Sequence, residues 1–116
     1  MITVVSCGIS NGDPPRGDLW FDCTSLPDPS PIIHDTPGTA PGVFDLIERS
    51  NPMVMPVVGL LVSSVRKLSA FQEDVSVVLV CSAGWHRSVA LAEAVAQRLR
   101  ALHKVQVIHR DLVVKQ

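Results

Sequence analysis

Short β-branched runs alternate along this chain with stretches in which apolar residues return every three or four positions. Residues 2–7 (ITVVSC), 18–23 (DLWFDC), 75–80 (VSVVLV) and 105–108 (VQVI) read as strands. The third is the most continuous, because Val75, Val77, Val78, Leu79 and Val80 leave no polar face, as in a parallel strand buried on both sides. Helical spacing predicts a short helix over 41–48, entered near Thr39, Ala40 and Pro41, with Val43, Phe44 and Ile47 inward. A longer one over 57–70 takes Leu60, Leu61, Val65 and Leu68 inward and leaves Arg66 and Lys67 in water. The last, over 88–102, buries Val89, Ala92, Val95, Ala96 and Leu99 and presents Glu93, Gln97 and Arg100 to solvent. Between these lie turn-rich segments: SNGDPPRG at 10–17, Pro52 and Pro56, and a long loop over 24–42 punctuated by Pro27, Pro29, Pro31, Pro37 and Pro41. The pattern predicts one α/β domain over 1–116, three-layered, with a small, mostly parallel sheet centred on 75–80.

That central strand ends in Cys-Ser-Ala-Gly-Trp-His-Arg and hands over to a helix, the place where open α/β sheets bind ligands. Backbone N–H groups at a helix start and the positive end of the helix dipole favour an anion. Small Ser82, Ala83 and Gly84 admit a phosphate closely, Arg87 adds a fork of donors and Ser88 a hydroxyl. The same field favours the thiolate of Cys81. His86 is placed to orient or protonate toward the anion, and Asp22, at a strand end, to accept from a ligand hydroxyl or from nearby backbone. Trp85 either stacks on a sugar or base or packs inward. His34 and Asp35 lie in the long loop, whose length suggests a functional lid.

Composition narrows the class. Nearly half of the 116 residues (47%) are apolar and only 4% aromatic, and no run reaches transmembrane length. The first residues lack the basic region of a signal peptide, so a cytoplasmic protein without a membrane contact is expected. Cys7, Cys23 and Cys81 are odd in number, which favours reduced thiols, and their spacing suggests no zinc site; neither metal nor cofactor is expected. The net charge of −1 is unevenly spread. Before Cys81, Arg16, Arg49, Arg66 and Lys67 stand against nine acids, a balance of −5; from Cys81 onward six cations stand against Glu93 and Asp111, a balance of +4. That half offers a basic face to an anion or RNA, or simply a solvated helix face.

The loop resembles, over about ten residues, the phosphate-binding loop of cysteine-dependent protein tyrosine phosphatases, with Cys81, five intervening residues, Arg87 and then Ser88. That likeness implies attack on phosphorus by Cys81, with Asp22, Asp28 or Asp35 as general acid. It departs at Val80, where most such enzymes carry His, and at His86, where a small residue is common.

A second resemblance covers nearly the whole chain. Ser6, Cys7, Gly8, Asn11, Gly12 and Pro14 echo an opening SFG-x-K-x-G-x-P, and Asp18, Phe21, Asp22, Leu26, Pro27 and Pro29 echo AD-x-x-FD-x-R-x-LPNP. Cys81, Gly84, His86, Arg87, Ser88 and Val89 match GCTGG-x-HRSV, followed by Glu93, and His109, Arg110 and Leu112 match a closing HR-x-L. In these residues the chain resembles the C-terminal domain of the RapZ family of RNase adapters. The resemblance implies a non-catalytic domain that binds an amino-sugar phosphate, glucosamine 6-phosphate, through Ser82, Ala83, Gly84, His86 and Arg87 above Cys81. It also implies RNA or protein partners and homo-oligomerisation, with the family's nucleotide-binding domain absent from this chain. Ser10, Asn11, Thr24 and Ser30 stand where the family carries cations or a histidine, so contacts to RNA phosphates are expected to be weakened.

Overall fold

The structure is a computed structural model and describes residues 1–28 and 36–112. The four apolar runs form strands β1 (Ile2–Gly8), β2 (Leu19–Asp22), β3 (Val75–Cys81) and β4 (Val105–His109). They make one sheet in the order β2-β3-β1-β4, and every pairing is parallel. The helices are α1 (Val43–Ser50), α2 (Val54–Ser69) and α3 (Arg87–Leu99), and single 3-10 turns follow β1 and β2. The α/β class and parallel sheet are those the pattern predicts. The centre, however, is shared, since β1 lies inside the sheet beside β3.

The alternation of side chains divides the sheet into two unequal faces. Ile2, Val4, Val75, Val77, Leu79 and Cys81 point into one core with Val58, Val62 and Val65 of α2 and Ala92, Val95, Ala96 and Leu99 of α3. On the other face Cys7, Val78 and Val80 form a smaller buried cluster with Val5. Its cover is a loop rather than a helix. The connections β2 to β3 and β3 to β4 travel along the sheet in one direction and β1 to β2 in the other, so crossovers of one hand put them on opposite faces. Gly17 packs so tightly there that a Cβ would lie 2.8 Å from Val78 Cγ2. Asp18 then latches the loop, its carboxylate accepting from Ser76 N–H at 2.8 Å, which holds its carboxyl below the usual range.

Helix α2 begins three residues before the sequence suggests. Pro56 falls in its first turn, where an N–H has no intrahelical partner to lose, and Asn51 Oδ1 accepts from Met53 N–H at 3.0 Å to start the turn. The buried stripe is Val54, Val58, Leu61, Val62 and Val65; Leu60, expected inward, lies off it and is 63% exposed. Helix α1 starts after Gly42 in left-handed conformation (φ 89°), two residues later than the expected Pro41. Glu93 of α3, expected in solvent, is half-buried and bonded within the fold. No single helix among the described residues is long and apolar enough to cross a membrane.

The stripe is checkable by paired substitutions. Leu61→Ala should cost about 2–5 kcal/mol in urea unfolding, whereas Leu60→Ala should stay within about 0.5 kcal/mol. Equal losses would contradict this packing of α2.

Candidate functional site

Strands β1 and β3 are neighbours whose chains leave toward opposite edges of the sheet, the topological switch point at which a crevice opens beyond the strand ends. Two loops meet there, one following Gly8 and the other spanning Cys81 to His86. They approach so closely that a Cβ on Gly8 would collide with the backbone of Ala83 and Gly84. Gly84 makes its turn at φ 78°, a region side chains disfavour. Ser10 donates to Ser82 O from both its N–H (3.1 Å) and its hydroxyl (2.7 Å), and Asn11 Nδ2 donates to Ala83 O at 2.9 Å. The polar residues standing at family cation positions thus serve as struts for the loop.

Beneath the loop, Cys81 is buried and its Sγ accepts from Gly84 N–H at 3.2 Å and lies 3.0 Å from Ser88 Oγ. Ser82 and Ala83 are exposed, Gly84 and Ser88 buried, and Trp85 half-buried. Trp85 meets the ring of His86 edge-on at 6.0 Å, and its carbonyl accepts from Gly38 N–H at 2.7 Å, which ties the loop to the segment ahead of α1. His86 precedes α3 and supplies no side-chain cap to it, so the first N–H groups of the helix keep their capacity for an anion. Its ring is buried and Nε2 has no hydrogen-bond partner among the described residues, a polar group whose desolvation they leave uncompensated.

Arg87 both faces the loop and straps it. Its Nη1 donates to Thr24 O at 2.8 Å and Leu26 O at 3.5 Å, and its Nη2 to Ser82 Oγ at 3.1 Å. Asp22 stands at the end of β2 opposite Val80, with Oδ1 accepting from Thr24 N–H at 2.8 Å. The bonds from Thr24, helped by the nearby Arg87 charge, hold its carboxyl below the usual range. Of its two sequence roles, the structure realises the backbone one. A carboxylate so stabilised is a poor general acid, since it is ionised at neutral pH. Among the other candidate acids, Asp28 is exposed, while Asp35, with His34, lies outside the described residues. Burial raises the Cys7 and Cys23 thiols, which suits packing. Among the described residues no group of three His, Cys, Asp or Glu side chains is arranged to hold a metal ion.

The site also depends on residues that the anion-loop reading passes over. Asp111 accepts from Gly8 N–H at 2.7 Å, and Arg110 Nη2 donates to Asp111 at 2.9 Å and to Gly8 O and Gly12 O at 3.1 Å each. Burial opposes ionisation of Asp111, but Arg110 and the Gly8 N–H outweigh it and leave the carboxyl below its usual range. Ser6 Oγ lies 2.6 Å from His109 Nδ1, and His109 Nε2 lies 2.7 Å from Glu93, tying β1, β4 and α3 together. The closing His-Arg and the helical Glu were the sequence signals for these braces.

A family model described as the RapZ C-terminal domain matches residues 1–113. The chain belongs to that family. Similar proteins include a nucleotide-binding protein of Thermodesulfovibrio yellowstonii, 33% identical over 118 residues, which covers 96% of this chain and 42% of that protein. Another, from Zymomonas mobilis, is 33% identical over 119 residues (96% of this chain, 36% of the relative). A third, from Ralstonia nicotianae, is 36% identical over 116 residues (94% and 39%). This RapZ C-terminal domain therefore spans about two fifths of the length of the curated relatives it matches.

Asp111→Asn should lower the melting temperature at neutral pH and flatten the acid limb of the stability profile. A depressed carboxyl stabilises fully above its unfolded value of about 3.9 and loses that contribution as pH falls through the folded value. A variant whose profile parallels the parent's below about pH 4 would remove Asp111 from this role.

Proposed function

We propose that this RapZ C-terminal domain binds a phosphorylated small molecule at Cys81–Ser88 and does no chemistry on it, with an amino-sugar phosphate such as glucosamine 6-phosphate as the ligand. The observation that carries this reading is the start of α3 without a side-chain cap, directly after the left-handed turn at Gly84 and at the switch point of the sheet. The phosphate sits over the loop, accepting from N–H groups of the helix start and from Arg87, which turns part of its fork from the Thr24 and Leu26 carbonyls. His86 Nε2 pairs with the bound ligand, and Asp22 accepts from a sugar hydroxyl with the oxygen that Thr24 does not use. Cys81 and Ser88 hold the floor.

An adapter role toward RNA or protein and self-association follow from the resemblance, and a cytoplasmic setting from the composition of the first residues; the RNA role ranks behind metabolite binding, because Ser10, Asn11 and Thr24 supply no charge to a phosphate backbone. The nucleotide-binding designation belongs to relatives more than twice this length.

One observation favours a second reading, a cysteine-dependent phosphatase using Cys81, Arg87 and Ser88: Gly84 N–H donates to Cys81 Sγ and the Ser88 hydroxyl lies 3.0 Å from it, contacts that a thiolate would use. Its weakness is the acid. The two readings separate in a thermal melt with glucosamine 6-phosphate, with released phosphate assayed in the same tube. Ligand at about 100 times its dissociation constant should add roughly 2.7 kcal/mol with no phosphate released, and Arg87→Ala should abolish the shift while Cys81→Ser leaves it largely intact. Phosphate release that disappears in Cys81→Ser would establish the enzyme instead. An Arg87→Ala variant that keeps the full shift would remove the proposed anion contact.

A further inference from the structure

A second cationic cavity lies away from the loop, between α2 and the C-terminal half of α3. It measures about 430 Å³ and is lined by Gly59, Val62, Ser63, Arg66, Lys67, Ala70 and Arg98. The α2 members fall at i, i+3, i+4, i+7, i+8 and i+11, so they share one face of that helix. Three cations line this groove, and among the described residues its lining contains no carboxylate.

Arg66 Nη2 donates to the Arg98 carbonyl at 3.4 Å, and the Arg98 guanidinium reaches back across the groove, where a Cβ on Gly59 would lie 3.7 Å from its Nη1. Arg66 Nε is fully buried and has no hydrogen-bond partner among the described residues, although it is a charged donor. Cations in the last turn of a helix complement its dipole, and Arg66 and Lys67 of α2 and Arg98 of α3 all stand in last turns. The dipole does not account for the Arg98 guanidinium lying over Gly59 or for the orphaned Nε. Like charges gathered over a floor of Gly, Ser and Ala, with one buried donor unused, are what an anion site looks like before its anion arrives.

We propose that this groove is a second, independent anion site, and that it takes a phosphoryl group. A phosphate dianion balances the three positive charges better than a carboxylate does. Its tetrahedral oxygens match two planar forks, a lysine point charge and the Ser63 hydroxyl. The phosphoryl group comes either free or on a lipid headgroup, and the chemistry of recognition is the same.

Titration of the full chain with inorganic phosphate, followed by amide chemical shifts, reads both sites at once. The amides of Gly59, Ser63, Arg66 and Arg98 should move on a saturable isotherm of their own, distinct from that of Gly84–Ser88. Arg66→Lys and Arg98→Gln should each weaken that isotherm roughly tenfold, leaving the Gly84 isotherm unchanged and the melting temperature close to the parent's. Co-sedimentation with phosphatidic acid vesicles, against phosphatidylcholine vesicles, separates the sources: binding lost in both variants assigns a headgroup, and phosphate saturation without vesicle binding assigns a free anion. Shifts reproduced by sodium chloride of equal ionic strength, or an isotherm insensitive to both substitutions, would overturn the proposal.

Discussion

The close approach of two backbones at the ends of β1 and β3 is the constraint on which the rest of the site depends. Gly8 lies against Ala83 and Gly84 with no space for a side chain. Parallel pairing of Gly8 with Cys81 brings the strand ends level, and the chain then departs in opposite directions. Without the contact the crevice would be a gap between two loose loops. With it, the Gly84 turn is fixed, the Cys81 thiol is capped from above, and α3 begins at a defined place and angle. Arg110 and Asp111 hold Gly8 from the far side, and the Ser6–His109–Glu93 chain fixes α3 to the strand that carries Gly8.

The parts of this arrangement that were legible in the sequence are those governed by local pattern. The apolar run of β3 and the change of period after Cys81 located the strand, the loop and the start of the helix within a residue or so. The ends of helices were less legible, because Pro56 reads as a breaker although the first turn tolerates it, and the exposure of Leu60 is decided only once that start is known. Side-chain allegiance was the least legible. Glu93 reads as a solvent residue by spacing, and only the register that sets His109 beside Ser6 brings the imidazole within reach of it. Ser10 and Asn11 read as lost cations; their use as struts depends on a contact between segments 72 residues apart.

In the proposed binding mode Arg87 serves structure and ligand together. Its fork reaches backbone carbonyls at the end of β2 and a hydroxyl in the loop, so it closes the site from the β2 side while remaining beside the anion position. Neutral acceptors hold an arginine less strongly than an anion does. A bound phosphate therefore competes for donors that are engaged but not committed to a carboxylate, and the strap becomes a binding group with a small rearrangement.

Three cations of the basic half are held at separate places in the fold. Arg87 belongs to the loop at the start of α3, Arg98 to the groove near its end, and Arg110 to Asp111 and the carbonyls of the first loop. Arg87 and Arg98 sit eleven positions apart on α3, which at about 1.5 Å per residue puts their backbones some 16 Å apart. That separation exceeds the span of one phosphate group and, at physiological salt, exceeds the Debye length of about 8 Å. The charges of Arg87 and Arg98 are thus divided by the helix into two local fields, each set beside its own small residues, and under the two proposals each takes its own anion.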